Sequence, residues 1–253
     1  MGVDIARRLT DRDRTLLAFA AEQRLIEAAH AQTLLRVSTD SASRRLRSLT
    51  AVGYLRVDRQ LAVPAYVIER KGLRAVESDL PRPHDPDPGT RRHDVGLAWL
   101  WLAASDGAFG AAAAVISERR MRSQDRRREP LAEPFGVRAP GLGPGGGERL
   151  HYPDLLLETR RGHRVAFELE LSGKGRMRRE QILGSYAVDP RIDAVVYLVT
   201  DRRIGSTLEA SSAALGISHM VHVAHVSFGS QARGMVPAHG SAPRPPQQRE
   251  LVR

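Results

Sequence analysis

The sequence predicts an α/β protein with two domains joined by a short linker. Three closely spaced helical patterns and a strand pair occupy residues 1–80, whereas residues 91–230 alternate between strands and helices. A proline-rich segment, 81–90, separates the two patterns. A chain of 253 residues can bury one core of ordinary size and one smaller core, which agrees with this division.

The first domain is predicted to open with three short helices. Thr10 and Asp13 have the spacing of a capping box, so the first helix is expected over residues 10–23. Apolar residues at helical spacing predict a second helix over 25–35. The third is expected over 39–53, where a glycine ends it. Three helices in so short a segment indicate a compact trihelical unit.

Two short strands are predicted after the third helix. Residues 54–57 and 65–68 have strand-forming side chains, and the mixed segment 58–64 connects them. A strand pair that follows three helices predicts a winged helix-turn-helix. A last short helix over 69–78 would close this domain before the linker.

The second domain is predicted to contain a small mixed sheet with helices. A helix over 92–104 and a strand over 111–121, which runs into an arginine cluster, come first, and 130–149 is expected to be a loop insertion. The remaining order is strand, strand, helix, strand, helix, strand, over residues 152–159, 164–171, 177–188, 194–200, 206–215 and 220–228. The composition of residues 231–253 predicts a disordered tail.

The charge of the chain indicates an anionic partner. The formal net charge is +10 and the isoelectric point is near 10.9; residues 1–80 hold 14 basic against 10 acidic side chains, so both halves are basic. Neutralising phosphates releases counterions, which makes double-stranded DNA the expected partner. The sequence lacks cysteine, a signal peptide and any apolar stretch that could span a membrane, which predicts a cytoplasmic protein with no membrane partner.

The third predicted helix carries the candidate DNA-binding residues. Its apolar residues Ala42, Leu46 and Leu49 share one face. The other face suits a major groove, where arginine reaches guanine edges or phosphates and serine bonds phosphates; it carries Ser41, Arg44, Arg45 and Ser48. In the predicted wing, Arg56 and Arg59 would contact the flanking backbone. The alternatives are a merely solvated charged face and a winged helix that binds protein.

Two predicted strands of the second domain carry carboxylates. Asp154 lies on the strand over 152–159, and Glu168 and Glu170 alternate with apolar residues on the next strand, so both point to one face. Carboxylates gathered at a sheet end can bind Mg²⁺ or Mn²⁺, with Asp154 and Glu168 as the metal ligands. Lys174, one of two lysines in the chain, could steady a phosphate there. The alternative is that these acids pair with nearby arginines.

This order of elements, with Pro-Asp on one strand and a glutamate on the next, resembles the PD-(D/E)xK restriction-endonuclease-like nuclease fold. The resemblance implies a small mixed-sheet α/β domain, and a catalytic set of Asp154, Glu168, Glu170 and Lys174 with Mg or Mn as the cofactor if the site is active. In that superfamily the lysine lies two residues after the strand glutamate, where this chain has Glu170. The catalytic pattern is therefore degenerate, or its lysine has moved.

The layout of the whole chain resembles the replication-relaxation family over about residues 10–228. The resemblance runs from the predicted winged helix through His93-Asp94 and residues 117–120 to the ELELSGK segment and Tyr186. Members of that family are encoded largely by plasmids, phages and integrative elements, and are taken to assist plasmid replication or DNA relaxation at a mobilisation origin.

The resemblance implies a DNA-binding accessory protein that assists replication, relaxation or mobilisation of such an element. A relaxase, a replication protein or a second copy of the chain in a homodimer are further candidate partners. Two alternatives stay open. One is a metal-dependent DNA nuclease of the PD-(D/E)xK type, and the other is a winged-helix transcriptional repressor whose second domain only dimerises.

Overall fold

The computed structural model describes residues 9–59, 63–129, 132–143, 146–227 and 236–237. The fold is mixed α/β, as the sequence predicts. The chain divides into two compact units, Met1–Ala98 and Trp99–Arg253, called here the first and the second unit. The predicted tail, except for residues 236–237, lies outside the described residues, as does part of the predicted wing segment and of the predicted loop insertion.

Three helices open the first unit: α1 (Asp11–Glu22), α2 (Ala28–Leu35) and α3 (Thr39–Ala51). Thr10 caps α1 and forms the predicted capping box with Asp13. Residues 36–38 make the turn from α2 to α3, with Arg36 in the left-handed region at a φ of 51°. Gly53 follows α3 at a φ of 77°, where the chain reverses toward the strands.

A two-stranded antiparallel sheet follows, formed by β1 (Leu55–Asp58) and β2 (Ala65–Ile68). Ile26, between α1 and α2, extends this sheet because its backbone exchanges two hydrogen bonds with Tyr66, at 2.8 and 2.9 Å. The next helix, α4 (Arg70–Ala75), is shorter than the predicted 69–78. Leu25 packs with Ala65 and Val67 in a buried cluster that also contacts Val95.

The proline-rich segment 81–90, predicted as an exposed linker, lies within the first unit and is bound to it by ion pairs. Arg82 contacts Glu69 with an N–O distance of 3.0 Å, and Asp85 contacts Arg56 at 2.5 Å. The following helix, α5 (Arg91–Ser105), contains the boundary between the two units. The segment therefore belongs to the surface of the first unit as far as Thr90.

The second unit contains the strands β3 (Ala112–Ser117), β4 (Val137–Leu142), β5 (Glu148–His151), β6 (Leu155–Thr159), β7 (Arg164–Glu170), β8 (Ala194–Val199), β9 (Val221–Ser227) and β10 (Val236–Pro237), and the helices α6 (Glu118–Asp125), α7 (Arg176–Val188) and α8 (Arg202–Ala214). A six-stranded sheet has the order β10-β9-β8-β7-β6-β3. Strands β3, β6 and β7 are antiparallel neighbours, whereas β7, β8 and β9 are parallel and are connected through α7 and α8.

The predicted strand over 111–121 is too long. It ends at Ser117, whose hydroxyl accepts a hydrogen bond from the Arg120 N–H at 3.2 Å and so caps α6. The arginine-rich residues after Ser117 have an acid, Glu118, in the first turn of this helix. A serine cap and an acidic first turn are signals for a helix, and here they end the strand.

The predicted loop insertion at 130–149 contains structure, so that prediction is also wrong. Its described residues include β4 and the start of β5, which pair as a separate hairpin with Val137 opposite His151. Glu148 helps to hold this hairpin because its carboxylate contacts Arg138 at 2.9 Å and Arg128 at 2.7 Å. The described glycines and prolines of this segment therefore lie in and beside a hairpin.

Helices α7 and α8 pack on one face of the large sheet. Tyr186 of α7 and Leu208 of α8 join Val195 and Tyr197 of β8 in the buried core of the second unit. Gly205 brings α8 close to β9, since a Cβ at this position would lie 3.2 Å from the Nε2 atom of His225. This packing places the first turns of α7 and α8 beside the end of β7.

Candidate functional site

A groove on α3, called here the α3 groove, brings together four of the residues that the sequence predicts to bind DNA. It has a volume of about 450 Å³ and is lined by Arg12, Leu35, Val37, Ser41, Arg44, Arg45 and Ser48. Ala42, Leu46 and Leu49 are buried on the opposite side of the helix, as predicted. The four predicted residues of α3 therefore share one solvent-facing surface.

The two consecutive arginines of α3 have different surroundings. Arg44 is exposed and forms no ion pair with any residue that the structure describes. Arg45 contacts the buried carboxylate of Asp13 at 3.0 Å, and its guanidinium donates a hydrogen bond to the Thr10 hydroxyl at 3.5 Å. Arg44 is available to an outside partner, whereas Arg45 connects α3 to the beginning of α1.

The two arginines predicted in the wing differ in the same way. Arg56, on β1, contacts Glu69 at 3.1 Å and Asp85 at 2.5 Å. Arg59, just after β1, is exposed, and no described residue forms an ion pair with it. Arg56 therefore holds the proline-rich segment against the strands, and Arg59 presents its charge to solvent.

The predicted carboxylates of the second unit lie at the end of β7. Glu168 and Glu170 are both buried and, as predicted, alternate with apolar residues on the strand. Asp154 lies just before β6 rather than on the predicted strand over 152–159, because Pro153 lacks an N–H for the ladder. The Asp154 carboxylate instead accepts a hydrogen bond from the Leu169 N–H at 2.7 Å. This side-chain contact links the start of β6 to β7 where the backbone pairing ends.

Glu168 is held by two residues from other elements. The Tyr186 hydroxyl donates a hydrogen bond to its Oε1 atom at 2.5 Å, and the His151 Nε2 atom lies 2.6 Å from the same oxygen. Burial by itself would raise the pKa of Glu168, but the charge and hydrogen bond of His151, the charge of Lys174 and the Tyr186 hydroxyl together lower it below its ordinary value. Glu168 is thus stabilised as a carboxylate inside the unit.

Glu170 has a different partner and a different pKa. The Lys174 ammonium forms an ion pair with its Oε2 atom. Burial raises the pKa of Glu170, the nearby carboxylates of Glu168 and Asp154 add to the rise, and Lys174 offsets only part of it. The four residues predicted as a catalytic set therefore lie close enough together to influence each other electrostatically.

The carboxylates do not have the arrangement of a divalent-metal site. Glu168 accepts from Tyr186 and contacts His151, while Glu170 contacts Lys174 and Asp154 accepts from the backbone of β7. Across the described ranges, no group of three or more His, Asp or Glu side chains is placed to hold a metal ion. The donor set does not fit Mg²⁺ or Mn²⁺, which require several oxygen ligands around one point.

His151 and Arg203 are site residues that the sequence did not indicate, and Arg179 entered only as one of the nearby arginines that could pair with the carboxylates. His151 ends β5, so its contact with Glu168 depends on the unpredicted hairpin. Arg179 and Arg203, on α7 and α8, line one cavity with Lys174 and Glu170. The only sequence signal for the two arginines was that each falls in the first turns of a helix that follows a sheet strand.

The arginine cluster over residues 119–128 is largely engaged within the unit. Arg122 contacts Glu118 at 2.7 Å and lies over the Tyr152 ring, 4.3 Å from its centroid. Arg128 contacts Glu148 at 2.7 Å. These contacts make the cluster part of the packing between α6 and the β4–β5 hairpin.

Comparisons with known proteins identify no family for the chain. No protein-family model matches it, and neither does any curated protein. A solved structure described as "PigF with SAH" aligns with 85% of this chain at 14% identity and a TM-score of 0.20, and the alignment spans 62% of that structure's chain. A likeness this weak supports no statement about fold or function. None of the helices in the described part of the chain is both long and apolar enough to cross a membrane.

Proposed function

We propose that the chain is a DNA-binding protein whose first unit is a winged helix-turn-helix. The observation that carries the proposal is the α3 groove, where Arg12 and Arg44 are exposed beside the serines of α3. Support also comes from the order of α1, α2, α3 and the β1–β2 pair, in which a short turn joins α2 to α3. In such units the last of the three helices enters the major groove.

Two features of the groove favour DNA over a solvated surface. Arg44 has no competing carboxylate among the described residues, so binding a phosphate or a guanine edge would not require an ion pair to be broken. Outside the groove, exposed Arg59 adds a further cation just after β1, in the segment that would follow the flanking backbone. A groove with cations and hydroxyls suits a polyanion better than an apolar peptide.

A mobility-shift titration with duplex DNA tests this proposal. Arg44→Ala should weaken binding by about 1 to 3 kcal/mol if the side chain makes one good contact with a base or phosphate. Arg74→Ala is the matched control, since Arg74 is exposed on α4 and does not line the α3 groove. A folded protein that binds no duplex at low salt, or an Arg44 variant that binds as well as the control, would refute the proposal.

We further propose the biological setting that the motif order suggests, an accessory role in replication, relaxation or mobilisation of a plasmid, phage or integrative element. The second unit, which we interpret as a nuclease-like α/β domain, would then contact DNA or a partner protein without cutting. Its antiparallel β3-β6-β7 order, the α7 crossover to β8 and the position of Asp154 and Glu168 agree with a PD-(D/E)xK type of domain. The engagement of its carboxylates by Tyr186, His151 and Lys174 favours the noncatalytic form.

A nuclease is the competing hypothesis, and a plasmid-nicking assay separates the two. Supercoiled plasmid incubated with the protein and Mg²⁺ or Mn²⁺ should remain intact under our proposal. Metal-dependent nicking that disappears in Glu168→Gln, while DNA binding is retained, would establish the nuclease instead. The Gln side chain keeps the size of Glu168, so that the comparison tests its charge.

A further inference from the structure

A cavity in the second unit, called here the α7–α8 cavity, has the character of an anion site. Its volume is about 340 Å³, and its lining comes from the end of β7, the segment before α7 and the first turns of α7 and α8: Glu170, Gly173, Lys174, Gly175, Arg179, Arg203, Ile204, Thr207 and Leu208. Of the three cationic side chains among these residues, Lys174 and Arg179 are close in sequence at the start of α7. Tertiary packing brings Arg203 of α8 to them.

Two of the cations have no carboxylate partner among the residues that the structure describes. Arg179 donates one hydrogen bond from Nε to the Ser211 hydroxyl at 2.8 Å and another to the Lys174 carbonyl at 3.0 Å, which fixes its guanidinium at the cavity wall. Arg203 is exposed, and its guanidinium forms no ion pair within the described ranges. A fixed guanidinium and an unpaired one on opposite helices form a pair of donors for a tetrahedral oxyanion.

The single acid of the cavity does not cancel this positive charge. Glu170 forms an ion pair with Lys174, so these two residues contribute almost no net charge. Arg179 and Arg203 therefore set the sign of the field inside the cavity.

The walls of the cavity suit a compact oxyanion. Gly173 and Gly175 border open space, since a Cβ at either position would have no heavy atom within 4 Å. Leu208 is buried and Ile204 is half-buried on the opposite wall, so part of the lining has a low dielectric, which strengthens attraction to an anion. The cavity therefore has free volume beside the two glycines and positive charge from the two arginines.

We infer that the α7–α8 cavity binds a phosphate group through Arg179 and Arg203. A phosphate has enough oxygens to accept from both guanidinium groups together, and it can come from the DNA backbone or from a free nucleotide or phosphate ion. The inference is independent of the α3 groove, because none of the cavity residues lies in the first unit. It also assigns a role to residues outside the predicted carboxylate set.

The test compares Arg203→Ala with Arg202→Ala in the full chain. Both arginines are exposed in the first turn of α8, but Arg203 alone of the two lines the cavity. Thermal unfolding is followed with inorganic phosphate at constant ionic strength, and duplex binding is followed over a range of salt concentrations. We expect phosphate to raise the Tm of the wild type and of Arg202→Ala, and to leave that of Arg203→Ala unchanged.

The DNA measurement distinguishes the two sources of phosphate. If the ligand is the DNA backbone, Arg203→Ala should weaken duplex binding about tenfold and reduce the slope of log affinity against log salt by about 0.9. If it is a small phosphate, duplex binding should be unchanged while the Tm shift is lost. Both outcomes support the cavity as a phosphate site.

Equal behaviour of Arg203→Ala and Arg202→Ala in both measurements would overturn the inference. Arg179→Lys gives a second check, since lysine keeps the positive charge but lacks the several N–H donors of a guanidinium. This variant should stay folded and show a smaller rise in Tm with phosphate. Failure of Arg44→Ala to affect DNA binding would refute the winged-helix proposal and leave this result untouched. The two failures are therefore distinguishable.

Discussion

At the scale of single residues, Arg45 shows how an arginine on a solvent-facing groove can stabilise the fold. It contacts the Asp13 carboxylate, which is only 3% exposed and also accepts hydrogen bonds from the backbone N–H and the hydroxyl of Thr10. A buried acid deprived of its cation is costly, whereas a surface cation is not. The sequence placed Arg44 and Arg45 on one face but could not distinguish their partners.

We therefore expect Arg45→Ala to lower the free energy of unfolding by about 1 to 3 kcal/mol, less than for a fully buried pair because a quarter of the Arg45 side chain is exposed. Chemical denaturation measures this change. Arg47→Ala is the control, since among the described residues the Arg47 guanidinium donates only to Ser43 of its own helix, and its loss should cost less than about 0.5 kcal/mol. Equal stability of the two variants would show that the Asp13 pair contributes nothing.

We expect His30 to make the first unit sensitive to acid. It is fully buried in α2, its Nδ1 atom accepts from the Glu27 N–H at 2.9 Å, and it hydrogen-bonds the Val95 backbone. Burial lowers the pKa of His30 to about 3, well below that of the unfolded chain. A lowered pKa means that the unfolded state binds the proton first, so stability is present above about pH 6.5 and is lost as the pH falls toward 3.

Between these limits His30 should contribute a slope of up to about 1.4 kcal/mol per pH unit to the free energy of unfolding. Urea denaturation at several pH values measures the slope. His30→Asn keeps a side-chain acceptor for the Glu27 N–H but cannot take up a proton, so its slope in this window should be smaller. If both proteins lose stability equally with falling pH, His30 is not the acid-sensitive group.

At the scale of elements, Gly72 decides how closely α4 approaches the strands. A Cβ at this position would lie 2.8 Å from the Cγ1 atom of Ile68 and would overlap the carbonyl oxygen of Tyr54. At Gly184, in α7, an added Cβ would have no heavy atom within 4 Å. The two glycines therefore have opposite consequences for substitution.

We expect Gly72→Ala to destabilise the protein by about 1 to 3 kcal/mol, because backbone must move to relieve the overlap. Gly184→Ala should instead stabilise it by about 0.5 to 1 kcal/mol, since alanine favours a helix interior. Thermal or chemical unfolding of both variants checks the two signs. A neutral Gly72→Ala would mean that α4 can shift away from Tyr54 at little cost.

The elements also show which parts of the secondary structure local sequence patterns can predict. Capping signals and apolar spacing predicted α1 and α3 to within two residues, because both signals are local. The β4–β5 hairpin was missed because its anchors are tertiary: Val137 packs in the core of the second unit, and the Asp125 carboxylate accepts from the Phe135 and Gly136 N–H groups, which no local pattern reports. For the same reason His151 could not be assigned to the carboxylate site from the sequence.

At the scale of the whole molecule, both units have exposed arginines for which the described part of the chain provides no acidic partner. Arg44 and Arg59 lie in the first unit, and Arg203 lies in the second. Many other arginines, such as Arg56 and Arg128, form ion pairs. The net charge of +10 is therefore a poor measure of the charge available to a partner, and the unpaired arginines are a better one.

If both units contact one duplex, the effects of removing these arginines on the salt dependence should add. Arg44→Ala and Arg203→Ala should each reduce the slope of log affinity against log salt by about 0.9, and the double variant by about twice that amount. Fluorescence anisotropy with a labelled duplex measures the three slopes. A double variant with the slope of Arg44→Ala alone would restrict DNA contact to the first unit.

The scarcity of lysine has a consequence for chemical labelling. The chain has two lysines: Lys71 donates to the Val52 carbonyl at 2.8 Å beside the Tyr54 ring, and Lys174 forms an ion pair with Glu170. Acylating reagents need an accessible amine, so half-buried Lys174, engaged by Glu170, should react more slowly in the folded protein than exposed Lys71. The rate of covalent modification at Lys174 would then report how often its ion pair opens. Few other amines in the chain would compete for the reagent.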